Sequence, residues 1–250
     1  MAEVFEKLFP EAFISRLLEQ GVRGDGRRAD QVRPMHLALN VVSSTASSSV
    51  CSMGRTRVMC AIQYELTSAF PVQPRMEFEI TSSNPNHAAQ LAGRLSGVAK
   101  ELVEVDKELW AKPLEVGFVL KCSFVVMDDD GGVFDCLVNS LSAALVELRL
   151  PTDFATTASP SSQLKIKSLD SARPVRVRKV RALSFCLLEG GDGGLVADPT
   201  EKEESVLKST LCLVVDQAGS GQVVSLTKLG KNGLVLPSTL QQCLAIARNL

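Results

Sequence analysis

The chain has 250 residues, of which 45% are hydrophobic and 22% charged, with a formal net charge of −1. That is enough chain for one large domain or two small ones around a sizeable core. The balance excludes an overall basic footprint, so any nucleic-acid contact must come from local patches or partner chains; no apolar run reaches membrane-spanning length, so no membrane partner is expected.

Pro10 to Gln20 is amphipathic, with Phe13, Ile14, Leu17 and Leu18 on one side and Gly21 as the stop. The charged, turn-rich stretch VRGDGRRAD follows, carrying Arg23, Arg27 and Arg28 beside Asp25. Such a cluster touches RNA, salt-bridges a neighbouring segment or is simply solvated. Residues 35–65 read as three strands (MHLALNVV, ASSSVCSM and TRVMCAIQYEL) whose connections suit an antiparallel meander. The third, apolar on both faces from Val58 to Tyr64, is expected to be central. Residues 66–75, with Pro71 and Pro74, read as a surface loop, and MEFEITS is a further strand with Met76, Phe78 and Ile80 on one face. His87 to Trp110 is the longest helical stretch, started by Asn84 or Asn86, with Leu91, Leu95, Val98, Leu102 and Val105 as its stripe. Arg94 either faces a groove from this helix or is solvated.

The centre is residues 116–150. An apolar, β-rich run from Val116 to Met127 meets the turn Asp128-Asp129-Asp130-Gly131-Gly132, and a helix follows with Phe134, Leu137, Val138, Leu141, Leu145 and Leu148 on one face. Asp130 or Asp135 is the expected cap and Pro151 the expected stop. A glycine-rich turn from strand to helix offers backbone amides to an anion. A phosphate site would add a hydroxyl and an arginine. Here the glycines are followed by Val133 and Phe134 and preceded by three aspartates, which favours a tight structural turn.

A Ser/Thr/Pro-rich link, 152–163, leads to five strand candidates: LKIKSL, VRVRKVRALSFCLLE, GGLVAD, SVLKSTLCLVVD and GQVVSLTKLG. The basic run from Arg173 to Arg181 alternates with valines as a half-exposed edge strand does, so its charge need not mean RNA. Pro237 to Leu250 closes as a helix. Asp198, Glu201, Glu203 and Glu204 read either as a divalent-metal cluster or as an acidic helix start.

Seven cysteines (51, 60, 122, 136, 186, 212 and 243) sit mostly in apolar runs without a CxxC pair, which predicts buried free thiols in a reducing compartment. His36 and His87 are the two histidines, too few for histidine-based catalysis or a histidine-rich metal site. Met1 to Pro10 carries Glu3, Glu6 and Lys7 where a signal peptide has an apolar core, so an intracellular soluble protein is expected.

Four blocks in order (Arg23-Gly-Asp-Gly-Arg27, Ser49 to Ala61, Val126 to Cys136 and Ala197 to Glu204) resemble the RNase PH-like subunits of the RNA exosome ring, and the last block with the C-terminal LQQCLAIA helix lies closest to a non-catalytic type. The resemblance implies an α/β (α+β) RNase PH fold of the ribosomal protein S5 domain 2-like kind: two stacked βαβα-type units with central helices. It implies one such domain over 1–250, with an N-terminal helix 10–20 and halves at about 21–151 and 162–250.

Active members attack the terminal phosphodiester of RNA with inorganic phosphate. Their glycine–hydroxyl–arginine phosphate grip falls here on Gly132, Val133 and Phe134; the first catalytic acid falls on Asp198 and the second near Lys208. The resemblance therefore implies no catalysis, no cofactor and no metal, and a structural ring subunit supporting 3′-to-5′ RNA processing and degradation. The implied partners are other RNase PH-like subunits as neighbours, S1/KH-domain caps, a separate hydrolytic nuclease and, weakly, RNA. The implied location is nucleus, nucleolus and cytoplasm. Candidate RNA-facing residues are Arg23, Arg27, Arg28, Arg55, Arg57, Arg75 and Arg94. The competing readings are an active phosphate-dependent 3′-to-5′ exoribonuclease and an independent RNA-binding module.

Overall fold

The structure is a computed structural model. It describes residues 8–67, 75–103, 117–156, 164–168, 172–187, 195–207, 209–217, 221–230 and 235–249. Most of the surface loop expected over 66–75, the part of the expected helix beyond Val103, and Lys208 lie outside these residues.

Five strands form the first sheet: β1 (Met35–Leu39), β2 (Ser47–Met53), β3 (Thr56–Thr67), β4 (Arg75–Thr81) and β5 (Gly117–Asp128), in the order β1-β2-β3-β5-β4. The first three form the expected antiparallel meander, with β3 central; β4 joins β5 in parallel. The second sheet holds β10 (Val180–Leu187), β11 (Leu195–Ala197), β12 (Thr210–Asp216) and β13 (Val223–Leu229), in the order β11-β10-β12-β13, all antiparallel. Two small ladders connect them: β6 (Arg149–Leu150) with β9 (Arg173–Pro174), and β7 (Asp153–Thr156) with β8 (Leu164–Ser168).

Five helices accompany the sheets among the described residues: α1 (Pro10–Glu19), α2 (Pro85–Leu102), α3 (Val133–Glu147), α4 (Glu201–Leu207) and α5 (Pro237–Arg248). Helix α3 lies between the sheets, against β2 and β3 on one side and β10 on the other. It is buried almost all round, which is why its composition reads as apolar on more than one face. The second sheet is covered on both faces. Ala182, Cys212 and Val214 point into the core with α3, while Leu183, Phe185, Leu211, Leu213 and Val215 pack with Cys243 and Ala247 of α5. Alternation disappears when both faces are dry, so SFCLL and TLCLVV read as unbroken apolar runs.

Several local expectations are corrected. Helix α3 is capped by neither Asp130 nor Asp135; its N-cap is Gly132, in the left-handed region at φ 68°, without a side-chain cap. Asp135 turns inward instead. The helix ends at Glu147, before Pro151, because Leu148 becomes extended and leads into β6. Ser205 to Leu207 belong to α4, so the strand expected from Ser205 begins at Thr210. The strand expected from Val175 is continuous only from Val180; before it, the chain makes one short ladder and an isolated bridge from Val177 to Val103. Asp153–Thr156, expected as link, pairs as β7.

Asn84 does start α2, its side chain accepting from the His87 amide at 3.2 Å. Gly21 closes α1 at φ 71°. All seven cysteines are buried and free, and no described helix is long and apolar enough to cross a membrane.

Candidate functional site

Three segments distant in sequence meet at the N-terminus of α3: the arginine-rich stretch 23–33, the turn 128–132, and residues 197–204 leading into α4. Gly131 and Gly132 take φ values of 83° and 68°, which L side chains rarely adopt, and so reverse the chain between β5 and α3. Gly131 is also pressed by its neighbour. A Cβ there would stand 2.5 Å from the Pro199 carbonyl oxygen and the Glu201 nitrogen. The turn is tied to β3 by Thr56, whose Oγ1 donates to the Gly131 carbonyl at 2.6 Å and accepts from the Asp130 amide at 3.0 Å.

An anion at this helix start would need free amides and a cation. The Gly132 N–H donates instead to Glu204 Oε1 at 3.0 Å. Burial is the main reason the Glu204 carboxyl is pushed up to about 7, against the opposing pull of that hydrogen bond. Val133 and Phe134 are buried, and the Arg94 guanidinium lies 3.8 Å from the centroid of the Phe134 ring. Arg94 Nη2 reaches Cys212 Sγ at 2.9 Å, and its buried Nε has no hydrogen-bond partner. Asp135, fully buried, accepts from the Ser184 amide at 2.6 Å and from Ser184 Oγ at 2.7 Å; desolvation pushes its carboxyl up to about 7.

Asp198, at φ 48°, is the hub. Arg33 grips both its oxygens (Nε to Oδ2 at 2.8 Å, Nη2 to Oδ1 at 2.7 Å), the Arg33 amide adds a third bond at 2.8 Å, and Arg27 Nη1 a fourth at 2.8 Å. Arg33 also donates to the carbonyls of Asp130 and Gly131, so one side chain joins all three segments. Arg23 is buried against Glu203, with bonds of 2.8 and 2.6 Å, and donates to the carbonyls of Ala197 and Asp198. Glu203 in turn accepts from the Thr200 amide at 2.8 Å, the acidic helix start foreseen for this block.

The seven expected RNA-facing arginines are therefore not one path. Arg23 and Arg27 are buried in ion pairs and hold the fold; a guanidinium whose N–H groups already face carboxylates and carbonyls has little left for phosphate. Arg94 is stacked on Phe134. Arg28 is exposed beside Asp30, and Arg75, on β4, beside Glu77. Arg55 and Arg57 are exposed at the start of β3, and Arg55 joins Arg23 in lining an open cavity of about 580 Å³ floored by Phe13, Ile14, Leu17 and Leu18 of α1. Of the acidic block, Asp198 and Glu203 are turned onto guanidinium groups and Glu204 onto Gly132, leaving Glu201 exposed. Arg33 and Thr56 were not singled out from the sequence. The available signal was charge complementarity between 23–33 and 198–204.

Comparison with known proteins places this arrangement. Residues 31–151 match the sequence model of the 3′ exoribonuclease family, domain 1, and residues 180–249 that of domain 2. The chain is 27% identical over 262 aligned positions to the exosome complex component rrp43 of Schizosaccharomyces pombe, covering 98% of this chain and 94% of that one. It is 24% identical over 222 positions to the exosome complex component Rrp42 of Pyrococcus abyssi, covering 82% and 78%. The first of these relatives is of the type that the acidic block and C-terminal helix resemble, the ribosomal-RNA-processing protein forty-three. Among solved structures, an archaeal exosome core superposes with a TM-score of 0.76 at 20% identity, over 100% of this chain and 96% of that one. An Archaeoglobus fulgidus exosome with RNA bound gives 0.73 at 20% identity, over 96% and 93%. At these identities the structural likeness establishes the fold, which is the RNase PH fold expected from the sequence blocks.

Proposed function

We propose, from the premise that this chain belongs to the RNase PH family of 3′ exoribonucleases, that it is a non-catalytic, structural subunit of an exosome core ring. The relatives named as exosome components over nearly the whole chain support the ring assignment. The observation that carries the loss of catalysis is the Arg94–Phe134 stack. Where an active relative would present a hydroxyl and a guanidinium to phosphate, this chain presents Val133 and an aromatic ring, and Arg94 lies on that ring. The helix amide is occupied by Glu204 and the Asp198 carboxylate by Arg33 and Arg27. Groups that act as a unit fail together. An incoming phosphate dianion would meet a Gly132 amide already bonded to Glu204 and the exposed Asp128 and Asp129.

In this reading other RNase PH-like subunits flank the chain through two different faces, as closure of a ring from unlike subunits requires. S1/KH-domain proteins cap the ring, and RNA passes through it to a separate hydrolytic nuclease. The protein acts in the nucleus, including the nucleolus, and in the cytoplasm. Interfaces of a permanent ring bury roughly 2,000 Å² or more each. The exposed Leu37, Leu39 and Val41, along and just beyond edge strand β1, are consistent with a chain that is not meant to stand alone.

Affinity purification of the tagged protein from its own cells at mild salt tests this. Co-purification of the other ring and cap subunits, with no phosphate-stimulated release of nucleoside diphosphates once the hydrolytic nuclease is removed, is the expected result. A solitary protein that degrades RNA only when phosphate is added would overturn it.

A further inference from the structure

Helix α1 does not bury its apolar face. Phe13, Ile14, Leu17 and Leu18 share one side of it, yet all four are only half-buried, and among the described elements α1 packs chiefly on α4. An amphipathic helix that docks fully seals such a stripe against the core. Here the stripe floors the open cavity of about 580 Å³, whose remaining lining comes from the loop at 23–25, the β2–β3 turn at Arg55, Asp130 and the first turn of α4. Close-packed interiors leave few voids larger than a water molecule, whereas pockets for small ligands run from about 300 to 1,000 Å³.

The charges in that lining are not equivalent. Each of its three carboxylates already faces a guanidinium: Asp25 that of Arg27 at 2.6 Å, Glu203 that of Arg23 at 2.6 Å, and Asp130 that of Arg33 at 3.7 Å. Of its three cations, Arg23 is thereby taken and Lys202 has a partner of its own. Arg55 is exposed and makes no hydrogen bond or ion pair with the described residues.

We infer that this cavity is a binding site for a small amphipathic anion, a carboxylate on an aliphatic body. The α1 stripe takes the body, which displaces water from apolar surface that the fold itself leaves wet. Arg55 takes the head, its planar fork donating to both carboxylate oxygens. A cationic amphiphile would meet Arg55 and find every lining carboxylate engaged. The site rests on α1 and the β2–β3 turn and does not depend on ring membership.

The test is isothermal titration calorimetry of the full chain with octanoate, hexanoate, octanol and octylamine. Saturable octanoate binding is expected, with octylamine at least about tenfold weaker. Hexanoate should also be about tenfold weaker, since each buried methylene is worth roughly fourfold in affinity. Arg55→Gln should weaken octanoate about tenfold and leave octanol unchanged, whereas Leu17→Ser should weaken both. Arg55 is exposed, so its variant serves if Leu17→Ser loses its thermal transition. No saturable octanoate binding by the parent chain, equal binding of octylamine, or an Arg55→Gln variant that binds octanoate like the parent would overturn the inference. So would octanoate binding seen only after removal of residues 1–7, in favour of a site occupied by the chain itself. A short peptide alternating leucine and glutamate that binds more tightly than octanoate, and loses affinity with the same Arg55→Gln change, would overturn it in favour of a protein segment.

Discussion

Arg33 holds both carboxylate oxygens of Asp198, 165 residues away in the chain, and with the same guanidinium donates to the Asp130 and Gly131 carbonyls. The pair joins the two halves of the molecule at the start of α3. Arg33→Met would leave Asp198 buried beside Arg27 alone, at a cost of about 3 kcal/mol or more. The double variant Arg33→Met, Asp198→Asn should recover part of that loss, since no uncompensated charge remains. Urea unfolding followed by circular dichroism measures both; equal stability of Arg33→Met and the parent chain would show that the pair does not hold the halves.

Gly131→Ala should destabilise for two independent reasons. The φ of 83° is strained for any L side chain, and the new Cβ would stand 2.5 Å from backbone atoms of Pro199 and Glu201, which cannot swing away as a side-chain tip could. We expect a loss of about 2 kcal/mol or more, read as a lower urea midpoint with an unchanged slope. Gly93→Ala, at an exposed position of helix α2 with no atom near its Cβ, should be neutral or slightly stabilising, by up to about 1 kcal/mol.

Asp135 and Glu204 set a pH dependence. Both carboxyls are raised by burial to about 7, from ordinary values of 3.8 and 4.5. Between the unfolded and folded values the native state binds more protons than the unfolded chain, so their contribution to stability falls as pH rises from about 4 to 7 and levels off on either side. Asp135→Asn keeps an acceptor for the Ser184 amide and removes the titration, and should flatten that decline. Thermal midpoints of the two proteins from pH 4.5 to about 8 decide the matter: parallel curves would mean that Asp135 does not titrate in this window.

Leu37 and Leu39 are 44% and 46% exposed on edge strand β1. Leu37→Lys with Leu39→Lys should leave the stability of the isolated chain within about 0.5 kcal/mol and reduce its self-association, as charged edge residues do. Light scattering at matched concentrations checks this; unchanged scattering would remove the edge as the source of association.

Most elements were legible because their signals are local. The stripe of α2, the β1–β3 meander, the β5–turn–α3 centre and α5 follow from periodicity and turn residues within windows of about a dozen positions. The misses are also physical. Ser205 to Leu207 are apolar enough to extend β12, yet the Asp-Pro-Thr start and the Arg23–Glu203 bond make them the end of a helix. Asp135 sits where a cap belongs, but a fully buried Ser184 offers its carboxylate two donors that the helix N-terminus does not.

By itself the sequence determined the RNase PH fold, the apolar pair Val133 and Phe134 after the glycine turn, and the burial of seven thiols, because composition and order suffice for these. It also showed two runs of opposite charge, 23–33 and 198–204, without saying that they meet. Only the tertiary structure decided that Arg23 and Arg27 are internal ties, that Arg33 is the hub's partner, that Arg94 rests on Phe134, and that the valines of 173–181 pack on the core. The reason is the same in each case. An arginine's charge is a property of the residue, but whether that charge meets a carboxylate, a ring or solvent depends on segments brought together from across the chain.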